Sequence, residues 1–152
     1  MKRILISFAL TLFAAQLWSQ TPVQVVVNQY KDVKGAKEFE VSGRMMNIAR
    51  PFLKLYTIAP LAPSVNEMAM INMEKVRREV RDDFENHLKE NLKNYIYVGK
   101  TDTPEGEVDA YLHFKSSDLV DELVIYNPEI YALYTLIGDF NVSELQKIGK
   151  KD

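Results

Sequence analysis

Residues 130–148 read IYALYTLIGDFNVSELQKI, and the architecture of the chain follows from them. Ile130–Phe140 has the composition of a strand that is apolar on both faces. Ile130, Ala132, Tyr134 and Leu136 lie on one side, and Tyr131, Leu133 and Ile137 on the other. A strand without a wet side belongs inside a sheet or under a cover, so other strands are expected on its flanks. The strand runs directly into a helix. Asn141 suits an N-cap, Glu144 three residues on completes a capping box, and Phe140 can staple onto Leu145.

Working back from this segment, the hydrophobic period stays at two. Tyr95–Asp102, Glu107–Ser116 and Leu119–Tyr126 read as strands separated by Pro104-Glu105-Gly106, Ser117-Asp118 and Asn127-Pro128-Glu129. Together with Ile130–Phe140 they form a four-stranded antiparallel meander that ends in the short capped helix. Gly138 inside the last strand signals a bulge or a close backbone approach.

The first half of the chain alternates. Val23, Val26, Val27 and Tyr30 have helical spacing over 22–31, and Lys37–Ser42 is a strand. Ser42 caps an amphipathic helix carrying Met45, Ile48, Ala49, Phe52 and Leu53, with Pro51 inside it. The apolar, proline-rich segment 51–63 is expected to be an extended loop anchored by Leu55, Tyr56, Ile58 and Leu61. Val65–Met73 is a further strand. Glu74–Lys93 is a helix whose stripe is Val76, Val80, Phe84, Leu88 and Leu92, with Glu74–Arg78, Arg81–Glu85 and Glu85–Lys89 as i,i+4 pairs. The result is an α+β domain: an antiparallel or mixed sheet of about six strands, with helices mainly on one face.

One domain accounts for residues 20–152 of a chain of 152. Residues 1–19 have the form of a signal peptide: Lys2 and Arg3, then an apolar run from Ile4 to Trp18 that is short for a membrane span. Cleavage after Ser19 leaves Gln20 first; the following bond is the alternative. The chain contains no cysteine, so the expected product is periplasmic or extracellular without acylation at a lipoprotein cysteine, and packing holds it together without disulfides. Removing Lys2 and Arg3 leaves 17 basic residues against 21 acidic, a net charge of −4. That balance argues against nucleic acid and against an anionic membrane surface as partners, and no second apolar run is long enough for membrane insertion.

The chemistry-bearing residues are sparse. His87 and His113 stand apart from any H-x-x-x-H or cysteine pattern, so no metal or other cofactor is expected. Asp82-Asp83 do not converge on a helix, and Asp121 and Glu122 alternate on a strand, placing Asp121 with Leu119, Leu123 and Ile125. An acid–base site would need two carboxylates in different environments; Asp109 and Asp121 with His113 are the residues a hydrolase of envelope polymers would use. No G-x-S-x-G, P-loop or G-x-G-x-x-G occurs. Tyrosines are the richer signal. Tyr95 and Tyr97 share a strand face, as do Tyr111 and His113, while Tyr126 lies with Val120 and Val124. Such rings suit either recognition of a protein or envelope ligand, or the filling of a half-buried sheet. The same two readings hold for Tyr56, Ile58 and Leu61 in the loop.

The runs LVDELVIYN (119–127) and YALYTLIGDFNVSELQKI (131–148), with Tyr30…Gly35, Phe39–Val41 and Met45-Met46 upstream, resemble domain-of-unknown-function family 4252. That resemblance spans roughly Val23 to Ile148. It implies a small exported protein of Bacteroidota-type bacteria, with a link to sigma and anti-sigma envelope signalling, and brings no active site with it. The loop at 51–63 and the aromatic strand at 95–97 depart from the family pattern. The aromatic strands and the absence of a ligand or nucleophile pattern point to a non-catalytic exported binding or regulatory module with Tyr95, Tyr97, Tyr111, His113, Tyr126, Tyr56, Ile58 and Leu61 as its contact residues. The alternatives are the hydrolase and a subunit that assembles through an edge strand.

Overall fold

The computed structural model describes residues 20–53 and 59–149. The fold is α+β: a six-stranded, fully antiparallel sheet in the order β1-β2-β6-β5-β4-β3. The strands are β1 Lys37–Ser42, β2 Val65–Asn72, β3 Ile96–Thr103, β4 Gly106–Phe114, β5 Leu119–Asn127 and β6 Ala132–Asn141. The helices are α1 Pro22–Tyr30, α2 Arg44–Leu53, α3 Arg78–Asn91 and α4 Val142–Gly149. As the apolar character of both its sides requires, β6 is central, paired with β2 on one flank and β5 on the other. β3–β6 form the meander.

Two cores lie on opposite faces of this sheet, because cross-strand partners project to the same side. On the first face, α1 and α3 pack on each other and bury Val23, Val26, Phe84 and Leu88 against Ile71, Val124 and Leu133. On the second, α2, a 3-10 turn over Ala59–Ser64 and α4 gather at one end, over Val65, Val120, Leu136 and Phe140. α1 starts at a full capping box: Thr21 accepts from Gln24 N, and the Gln24 side chain accepts from Thr21 N. Leu145 packs with the cluster that holds Phe140. The close approach at Gly138 is real, since a Cβ there would lie 1.9 Å from the Ser64 carbonyl oxygen.

Several boundaries and faces differ from expectation for local reasons. α3 begins at Arg78, not Glu74. Asn72 Oδ1 captures Glu74 N at 2.9 Å, and Val76 N bonds Met73 O, so residues 73–77 turn instead of winding. Of the expected helix pairs, Glu85–Lys89 closes at 3.0 Å, whereas Arg81 Nη1 donates to Glu74 O. Tyr131 takes φ 52°, so β6 opens at Ala132 and Tyr131 closes the turn. Ser42 ends β1 opposite Glu67. In α2, Met46 is the buried residue, while Met45 and Ile48 are 59% and 63% exposed.

Candidate functional site

Asp121 and Glu122 do not alternate across β5 as a regular strand would place them. On β5, Val120 pairs with Phe114 and Glu122 with His113, which leaves Asp121 as an extra residue opposite β4. The bulge breaks the two-residue alternation: Val120 and Leu123 belong to the second face, Val124 to the first. Asp121 thereby reaches His113, Oδ1 to Nδ1 at 2.6 Å, and does not join Leu123 and Ile125. Glu122 is the member that goes fully inside. Its carboxylate accepts from the hydroxyls of Thr21 at 2.9 Å, Thr135 at 2.7 Å and Tyr95. Burial pushes the Glu122 pKa up, with the three hydroxyl bonds and His113 pulling the other way. The sheet thus supplies a carboxylate to the N-cap of α1, which has no acidic residue in its own first turn.

Four of the expected tyrosine-face residues lie on the first face, beneath or beside α1 and α3. Tyr95 is buried, its hydroxyl on Glu122 and 3.3 Å from Val23 N; burial and then the Glu122 charge raise its pKa. Tyr126 is buried on Phe84, its hydroxyl donating to Glu85. His113 lies against the Tyr95 ring, 4.8 Å between centroids. Tyr111 is half-buried at the edge of the core. Leu61 is fully buried in the second core; Tyr56 and Ile58 lie outside the described residues. An open aromatic face is therefore closed at Tyr95, Tyr126 and Leu61, because the helices need those rings and side chains as core.

What stays open is the β3 edge. Ile96, Tyr97 and Val98 are 55%, 49% and 53% exposed in succession. A bulge between Tyr97 and Gly99 interrupts the pairing with β4, and Gly99 takes φ +125°. The Tyr97 ring meets Tyr111 at 5.2 Å between centroids and 55° between planes. The Tyr97 hydroxyl donates to Asp109 Oδ1 at 3.0 Å. Register places Lys100 opposite Asp109, and Asp102 opposite Glu107, so these four share a face with the two rings. Lys100 Nζ lies 3.3 Å from Glu107 and 3.9 Å from Asp109, and its pKa is raised first by the Glu107 bond. The result is a shelf beyond the margin of α3: two rings at one end, and three carboxylates with one ammonium along the rest.

Compared with known protein families, residues 30–148 fit the family described as Domain of unknown function (DUF4252). The chain belongs to that family. No curated protein and no solved structure matches it. The family description assigns no activity, so the site of this DUF4252 protein has to be argued from its own geometry.

In this DUF4252 chain His113 and Asp121 come together, but Asp109 does not join them. It sits four residues along β4 from His113, about 13 Å at strand rise, beyond hydrogen-bond reach. His87 bonds the Tyr30 hydroxyl. Among the described residues, no group of three or more His, Asp or Glu side chains is placed to hold a metal ion, and no described helix is long and apolar enough to cross a membrane. A polar cleft between α1 and β2, lined by Gln20, Gln24, Glu40 and Glu67, encloses about 220 Å³, less than the roughly 300 Å³ at which small-molecule sites begin. Sequence reasoning missed Glu122. Its hint was present: in unbroken alternation it shares a face with Val124 and Tyr126, which a helix-covered sheet buries.

Proposed function

We propose that this DUF4252 protein is an exported, non-catalytic binding module of the cell envelope, and that its contact surface is the β3 edge with the Tyr97–Tyr111 shelf. One observation carries the reading: three consecutive apolar side chains, Ile96, Tyr97 and Val98, each about half exposed on an edge strand. A large apolar side chain repays its exposure when a partner removes it from water. Export rests on the leader pattern of Lys2, Arg3 and the apolar run behind them. The same edge does not favour pairing with a second copy. Its bulge, together with Lys100 and Asp102 on the strand, are the devices that blunt edge-to-edge association.

A photo-crosslinking residue at position 97, in the chain expressed in its own host, is expected to give a discrete adduct from the envelope fraction. The same residue at position 38, on the opposite edge, is expected to give none. The adduct is also expected to disappear when Ile96 and Val98 are changed to Lys, with thermal unfolding unaltered. An adduct that survives those lysines, or equal labelling from both edges, refutes the assignment.

A further inference from the structure

The shelf also defines what its partner must carry. We infer that the partner, on the reading of the chain as a binding module, is a protein segment presenting a basic side chain, preferably an arginine, which lies over the Tyr97 ring and pairs with Asp109, with apolar neighbours that cover Ile96 and Val98. Four observations combine in this. The rings of Tyr97 and Tyr111 meet at an angle and leave Tyr97 half exposed, a surface on which a planar cation can rest. Asp109, its side chain largely covered, is held at the ring's rim by the Tyr97 hydroxyl, which fixes a carboxylate beside the exposed ring.

The charge on this face is unbalanced. On the strands, Asp102, Glu107 and Asp109 stand against Lys100, which is nearer to Glu107 than to Asp109; Lys89 of α3 also approaches the Tyr111 end but is paired with Glu85. An incoming guanidinium can therefore take Asp109 while Lys100 stays with Glu107. Finally, Ile96 and Val98 flank Tyr97 on the exposed edge; register sets Ile96 opposite Leu112, on the reverse face from the two rings, so a partner that covers it must wrap around the edge of the strand. A small free amine would leave them wet; a peptide with apolar residues beside its arginine would not. A guanidinium suits the site better than an ammonium because it is planar, stacks on rings and forks onto a carboxylate.

The test uses the full mature chain and fluorescent synthetic peptides, in which one arginine is flanked by valine and isoleucine. Matched peptides carry Lys, Gln or Glu in its place, and binding is followed by anisotropy. The arginine peptide is expected to bind about tenfold or more tightly than the glutamine peptide, and to weaken as salt is raised. Asp109→Asn and Tyr97→Ala are each expected to remove most of that preference while thermal unfolding stays in place. The pair Asp102→Lys with Glu107→Lys is expected to shift selectivity toward the glutamate peptide. If the glutamine peptide binds as tightly as the arginine peptide, and binding is still lost in Ile96→Lys/Val98→Lys, the surface is right and the basic partner is wrong. If no peptide binds and the position-97 crosslink is also absent, both the surface and the inference fail. Equal binding of free arginine and of the peptide would make the site one for small cations and overturn the protein segment.

Discussion

Glu122 shows how one side chain ties the domain together. Its two oxygens serve Thr21 at the start of α1, Tyr95 ahead of β3 and Thr135 on β6. Its titration also gives stability a definite sign. In the unfolded chain the carboxyl titrates near 4.5, and in the folded protein burial raises that value. The folded state therefore holds the proton more firmly. The favourable contribution is full below about 4.5 and fades as pH climbs through the raised folded value. Glu122→Gln mimics the protonated acid and should lack this slope. Denaturant unfolding at pH 4.5 and pH 7 is expected to show the variant gaining on the native protein toward pH 7. A difference independent of pH would mean the carboxyl is not desolvated in this way.

At the level of elements, packing on the second face depends on the crossing of the 3-10 turn over β6. Ser64 reaches outward to Glu144 of α4 through its hydroxyl, 3.2 Å, and its carbonyl oxygen sits over Gly138. A methyl group at Gly138 would meet that oxygen at 1.9 Å, and the obstruction is backbone, which cannot rotate aside. Gly138→Ala is therefore expected to cost about 1–3 kcal/mol, read as a lower urea midpoint. A change within about 0.5 kcal/mol would show that the turn moves freely. Sequence identified this glycine as special from its position within a strand. It could not name the turn that presses on it, because Ser64 is far away along the chain.

On the scale of the molecule, two cores share one sheet. Phe84 beneath α3 and Phe140 near α4 are both fully buried, on opposite faces. Because β6 contributes to both clusters, neither side can open without disturbing the strand the other needs. Phe84→Ala and Phe140→Ala are each expected to cost about 3–5 kcal/mol and to lower one common transition, seen at the same midpoint by near- and far-ultraviolet circular dichroism. Two separated transitions in either variant would show that the faces unfold independently.

Much of this architecture was legible in the chain. Apolar residues on both sides of 130–140 required neighbours on both flanks; short turns set the meander; the spacing of Val23, Val26, Val27 and Tyr30 identified α1 despite its β-branched content. These are local signals, carried by residues within a few positions of one another. The site was less legible. The period of two placed Asp121 on one face and Glu122 on the other, but a bulge arises from how β5 pairs with β4, and it reversed the side on which everything before it lies. Local sequence thus determined which elements form and in what order. Only tertiary packing decided which rings the helices would bury and which the β3 edge would leave to water, because burial depends on what arrives from distant parts of the chain.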